Sequence, residues 1–170
     1  MRHIIIDGYN VIRASPRFAA NEHVSLEYAR EVLVQAVAGS PGLNRDQVMI
    51  VFDGTYGSRS HVQTYRRGNV LIMYSAQMQS ADDVVVAQAR TFATQGEVVV
   101  VSNDREVCDR CRDLGARISS AENLLGQMPG PQQRRRLESP EVEGRGLSTK
   151  KQGNPRRKPR RSRQEPPVRF

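Results

Sequence analysis

Short, wholly apolar runs recur along this chain, and each is cut off by a polar residue or a glycine. Ile4-Ile5-Ile6, Val48-Met49-Ile50-Val51-Phe52, Val70-Leu71-Ile72-Met73 and Val98-Val99-Val100-Val101 have no polar face, the pattern of strands buried on both sides. Ala116-Arg117-Ile118 reads as a short last strand. Between the runs the period changes. Leu26, Ala29, Val32, Leu33, Ala36 and Val37 recur at helical spacing. They predict a helix over Leu26–Ala38, with Ser25 as N-cap and Gly39-Ser40-Pro41-Gly42 as its stop. A second helix is expected over Asp82–Thr94, stopped by Gly96. Val84-Val85-Val86 is a poor helical run, but the segment's length and the acids at its front favour helix over strand. Ser102-Asn103-Asp104 caps a third helix, roughly Arg105–Leu114, and Ser120–Gln127 makes a short fourth. Val11–Val24, Thr55–Gly68 and Ser75–Ala81 read as polar loops. Buried strands alternating with amphipathic helices imply an α/β fold, a mainly parallel sheet with helices on both faces.

From Pro129 onward the hydrophobic pattern stops. That stretch holds 7 of the 9 prolines and the blocks Arg134-Arg135-Arg136, Lys150-Lys151 and Arg156-Arg157-Lys158-Pro159-Arg160-Arg161. It has too little apolar surface to offset its ordering entropy, so residues 129–170 are expected to form a disordered basic tail behind a folded domain of residues 1–128. Charge divides at the same place. The formal net charge of +8 resolves into −1 for residues 1–128 (13 Arg against 14 acids) and +9 beyond them. A polycation of that kind acts on polyanions without needing a fold. Two cysteines make no disulfide framework, no apolar run approaches the length needed to cross a bilayer, and the N-terminus enters a strand without a signal-peptide pattern. A cytoplasmic protein is expected.

The candidate chemistry sits where strands end. Asp7 follows Ile4-Ile5-Ile6, Asp53 follows the second apolar run, and Asp104 lies just beyond the fourth. Both Asp7 and Asp53 are followed by glycine, and Gly8 is expected to let the backbone turn sharply. Asp82 and Asp83 open a helix. Any one of these acids could be a turn former or a helix cap. In a parallel sheet, however, all reach one edge, the edge at which open α/β sheets bind ligands. Clustered carboxylates repel, and one or two Mg²⁺ or Mn²⁺ ions would relieve that with oxygen ligands. Asp7, Asp53, Asp82 or Asp83, and Asp104 are therefore the candidate metal ligands. Glycine-rich phosphate loops and zinc signatures are missing. Cys108 and Cys111 form a C-x-x-C, but with Val107 and Leu114 they fall on one helical stripe and read as core.

Ile-Ile-Asp-Gly-Tyr-Asn at the start, Val-Phe-Asp-Gly, Ser-Ala-Asp-Asp opening a helix, and Val-Val-Ser-Asn-Asp-Arg-Glu together resemble the NYN domain of the PIN-like nuclease superfamily. The similarity is greatest to its YacP-like branch, which includes a ribosome-associated endoribonuclease. It covers about Met1–Met128. The resemblance implies strand order 3-2-1-4-5 and metal-dependent hydrolysis of RNA. It carries over Asp7, Asp82 and Asp104 as ligands, leaves Asp53 a less defined part, and casts Asn10 as a residue that orients a ligand or substrate group. Relatives vary at Asp83 and Ser102, so the choice between Asp82 and Asp83, and the part Ser102 plays, stay open here.

Binding of RNA is a separate requirement, because a domain of charge −1 attracts no polyanion. The basic tail, including Arg156, Arg157, Lys158, Arg160 and Arg161, could do so by counterion release. Arg59, Arg66 and Arg67 flank the Asp53 loop as candidates for gripping the backbone, and Tyr9 is a candidate for stacking on a base. The sequence thus reads as a metal-dependent endoribonuclease with RNA, and a ribosome, as partners and no membrane. The alternative is a non-catalytic RNA- or ribosome-binding adaptor on the same fold. A phosphatase is disfavoured, because no second acid stands two positions after Asp7.

Overall fold

The computed structural model describes residues 1–54 and 61–128. Strand β1 (Arg2–Asp7) runs directly into helices α1 (Gly8–Ala14), α2 (Pro16–Glu22) and α3 (Leu26–Ala38), and these return the chain to β2 (Gln47–Phe52). A hairpin of β3 (Gln63–Arg67) and β4 (Val70–Tyr74) follows, then α4 (Ala81–Phe92), β5 (Glu97–Val101), α5 (Arg105–Asp113), β6 (Arg117–Ser119) and α6 (Ala121–Gln127).

The sheet has six strands in the order β3-β4-β2-β1-β5-β6. Every neighbouring pair is parallel except β3 with β4. The five expected strands therefore stand in the expected order, with one antiparallel strand added at the edge. Alternation along the central strands divides the core. Ile4, Ile6, Ile50 and Phe52 pack under α1, α2, α3 and α6. Ile5, Met49, Val51 and Val100 pack under α4 and α5. Val84, Val85 and Val86 are all buried in that second layer, so burial against the sheet outweighs their weak helical propensity. Cys108 and Cys111 are buried and unpaired, as their stripe implied, and burial pushes the Cys111 thiol up to about 11.

Two expectations fail. Val11–Val24 is not a polar loop but α1 and α2, with Val11, Ile12 and Phe18 fully buried. Each helix has only seven residues, too few for an apolar stripe to repeat. The start signals were local instead: an Asp cap before Gly8 and proline at the first position of α2. Nor is the whole of Thr55–Gly68 a loop, since its last residues form β3. That strand is mostly exposed and carries no apolar alternation. Its signal was the Gly68-Asn69 pair joining two extended runs, with Gly68 at φ +57°.

Glycine after Asp7 and after Asp53 also has a different reason from a sharp turn. Neither Gly8 nor Gly54 has a positive φ. A Cβ on Gly8 would overlap the Phe52 ring, and one on Gly54 would overlap the Ser75 carbonyl oxygen. Both glycines permit close approach beneath an acid. Arg59 and the whole basic segment, including Arg156, Arg157, Lys158, Arg160 and Arg161, lie outside the described residues, as does the expected disorder of the tail. No helix among the described residues is long and apolar enough to cross a membrane.

Candidate active site

The chain reverses its direction across the sheet between β1 and β5. The helix after β1 covers one face and the helix after β5 covers the other. The strand ends part there and leave a crevice. A pocket of about 400 Å³ opens at this place, lined by Asp7, Asn10, Asp53, Asp82 and Asp104 together with Arg13 and Asn103.

Asp7 is the last residue of β1 and caps α1. One carboxylate oxygen accepts from the Asn10 backbone N–H at 3.2 Å, and the other accepts from the Ser102 hydroxyl at 3.1 Å. Only 7% of the residue is exposed. Burial raises its pKa, the charges of Asp82 and Asp104 push the same way, and the two hydrogen bonds oppose them. Ser102, itself buried, also accepts from the Asp104 backbone N–H at 3.1 Å. One hydroxyl thus joins the acid ending β1 to the acid opening α5. Asp104 caps α5 by accepting from the Val107 N–H at 3.1 Å.

Asp82 stands in the first turn of α4. Partial burial raises its pKa, and Asp104, Asp83 and Glu106 add to that. Asp83 is different. It is solvent-exposed, pairs with Arg110 at 2.9 Å and is pulled down by that hydrogen bond. It does not line the pocket. Successive helical positions diverge by about 100°, so of the two candidate ligands Asp82 stands at the crevice and Asp83 beside Arg110. Asp53 lies one residue past β2 and accepts from the Ser75 hydroxyl at 3.4 Å.

The side-chain oxygen of Asn10 accepts from the Asn103 backbone N–H at 2.7 Å. Asn103 in turn donates to Glu122 at 3.0 Å and accepts from the Ala121 N–H at 3.0 Å. A string of amides therefore ties α1 to the loop after β5 and that loop to α6. The sequence marks Ser102 and Asn103 as part of a helix cap and gives Arg13 no role. The signal for Ser102 was its place between a buried strand and an acid, where a hydroxyl has two chain segments within reach.

Two RNA-binding expectations change. Tyr9 is only 8% exposed, packs edge-on against Phe52 and accepts a hydrogen bond from Arg30. It holds the pocket wall and offers no face to a base. Arg66 and Arg67 alternate along β3, so they point to opposite faces. Arg67 pairs with Glu31.

Carboxylates at the switch point of a mainly parallel six-stranded sheet define a PIN-like, nuclease-type α/β fold. The chain belongs to the YacP-like NYN domain family, whose profile matches residues 4–163. The match runs past Met128 and through most of the basic segment, further than the motifs alone reached. YacP of Bacillus subtilis (strain 168) is 30% identical over 129 residues, 74% of each chain. The crystal structure of a point mutant of Rae1 (YacP) from Bacillus subtilis superposes with a TM-score of 0.63 at 26% identity, covering 81% of this chain and 80% of that one. A second Rae1 structure, at 24% identity and a TM-score of 0.60, repeats the fold.

The donor chemistry fits a hard divalent cation. It consists of oxygen only, and two of the acids are held above their ordinary range by burial and mutual repulsion. Among the described residues no three acidic, histidine or cysteine side chains stand close enough to form a complete metal cage.

Proposed function

We propose that this protein is an endoribonuclease that hydrolyses internal RNA phosphodiester bonds with Mg²⁺ or Mn²⁺. The reading rests on one observation: Asp7, Asp82 and Asp104, from three separate elements, line one pocket at the switch point of a nuclease-type fold. Those three residues would hold one or two cations, with Asp53 at the margin. When bound, the cation supplies positive charge to the phosphate and makes water acidic enough to attack it at neutral pH.

The chain's own residues prepare the site. Ser102 fixes the Asp7 carboxylate by donating to it and favours its ionised form. Asn10, braced through its oxygen by Asn103, keeps its amide N–H groups for a ligand or substrate oxygen. Arg13, ion-paired with Glu22 at 3.4 Å, stands at the rim, where a phosphate would enter. RNA is the proposed partner, with ribosome-bound messenger as its setting and the cytoplasm as its place.

One observation favours a second reading, a non-catalytic RNA- or ribosome-binding adaptor: the acids do not form a closed cage. Purified protein incubated with mixed cellular RNA separates the two. The arms are Mg²⁺, Mn²⁺ or EDTA, wild type or Asp7→Asn, with and without ribosomes. Metal-dependent internal cuts that Asp7→Asn abolishes are expected, and a ribosome requirement would locate the substrate. RNA binding without cuts in any arm would replace the nuclease by the adaptor.

A further inference from the structure

Beside the acid pocket lies a larger groove of about 750 Å³, bounded by α3 on one side and by β3 and β4 on the other. The two share Asp53. Arg30, on α3, stands at their boundary. It lines the groove and donates at 3.0 Å to the hydroxyl of Tyr9, which lines the acid pocket. Its guanidinium carbon lies 5.4 Å from the centre of the Tyr74 ring. Its Nε is buried with no hydrogen-bond partner, and among the described residues no carboxylate is within ion-pair distance of it. Arg67, the other guanidinium of the groove among the described residues, is occupied by Glu31.

A half-withdrawn cation with no ion-pair partner is costly, and an anion placed against it offsets that cost, with Glu27, Glu31 and Asp53 set elsewhere along the groove. The planar fork of arginine matches a phosphate in particular. The groove also has aromatic surface. Tyr65 on β3 is 50% exposed, and from it a row of ring contacts runs inward through Tyr74 and Phe52 to Tyr9, at centroid spacings of 6.0, 5.6 and 5.4 Å. Cation and half-exposed ring beside one another are the elements of a single-strand track: one neutralises the backbone, the other stacks a base. Bases inside a duplex are already stacked and would gain nothing from it.

We propose that this groove seats the single-stranded RNA adjoining the cleaved bond, Arg30 taking a backbone phosphate and Tyr65 a base. The placement rests on the nuclease reading of the neighbouring pocket. It is tested without cleavage, on the full chain in EDTA, with a short fluorescent oligouridine titrated at several salt concentrations. Arg30→Gln and Tyr65→Leu are each expected to weaken binding by about five- to tenfold. Arg30→Gln should also lower the slope of log affinity against log salt by about 0.7, and Arg30→Lys should restore that slope. Tyr65 is exposed enough that Tyr65→Leu leaves the core untouched, and thermal melts check Arg30→Gln. The same RNA carrying 5-iodouridine should cross-link to Tyr65 on irradiation. Wild-type affinity in both variants, or cross-links confined to residues outside the groove, would overturn the proposal. A chain that cross-links at Tyr65 but never cuts RNA would keep the groove and lose the nuclease; cuts without that cross-link would do the reverse.

Discussion

Ser102→Ala removes one oxygen and should be felt in two ways. The hydroxyl is buried, donates to the Asp7 carboxylate at 3.1 Å and accepts from the Asp104 N–H at 3.1 Å. A hydrogen bond to a charged group contributes about 1.5–3 kcal/mol, and the neutral bond from the part-buried Asp104 N–H about 0.5–1.5 kcal/mol. Because the two share one atom and alanine packs well in a small site, we expect a net loss of about 3 kcal/mol. For a domain of this size each kcal/mol moves the midpoint by roughly 4 °C, so calorimetry near pH 7 should show a fall of about 12 °C. The second effect is on chemistry. The hydroxyl holds the Asp7 pKa down against burial and neighbouring charge. Without it that pKa climbs further, and the acid limb of the pH–rate profile should move to higher pH. A variant that melts within a degree of wild type, with an unmoved acid limb, would refute the account of Ser102 as the joint between the two acids.

Asp7→Asn should abolish metal-dependent cleavage yet raise the melting temperature of the metal-free protein at neutral pH, because asparagine still caps α1 and no longer holds a buried charge. That gain is expected to shrink as pH falls towards 3.8, the ordinary value at which the unfolded carboxylate also takes up its proton; a pH-independent gain would contradict the burial argument. Asp82→Asn should lower cleavage by at least about 100-fold while Asp83→Asn changes it less than about twofold, read as initial rates at saturating Mg²⁺; equal losses would return Asp83 to the site. Gly8→Ala should destabilise by about 1–3 kcal/mol in urea melts, since the new methyl meets the Phe52 ring, and an unchanged midpoint would show that the ring yields freely. Replacing Arg156, Arg157, Lys158, Arg160 and Arg161 by alanine should flatten the salt dependence of RNA binding by up to about 3.5 in log–log slope; an unchanged slope would remove the basic segment from RNA binding.

The strands were legible because burial on both faces leaves no polar residue in Ile4-Ile5-Ile6 or Val98-Val99-Val100-Val101. The long helices were legible because Leu26–Ala38 gives the apolar stripe room to repeat. Where an element was short, as in α1 and α2, or exposed, as in β3, periodicity had nothing to act on. The same division runs through the site. Asp7, Asp53, Asp82 and Asp104 could be placed together because parallel connectivity sends every strand end to one edge. Their individual surroundings could not. That Tyr9 lies under Arg30, that Asp83 turns to Arg110, and that one serine serves two acids all depend on which side chain meets which across the crevice. Neither spacing nor composition carries that information.

A pocket assembled from residues 7, 10, 53, 82, 103 and 104 has no local precursor. No hairpin or single helix–strand unit contains even half of it, and the parallel pairing of β1 with β5 closes a loop of nearly one hundred residues before Asp7 and Ser102 meet. A chain still emerging from a ribosome therefore lacks the assembled acid pocket until α5 is out and the sheet has closed. Under the proposed function, that order of assembly would keep a copy under synthesis from cutting the RNA around it, its own message included.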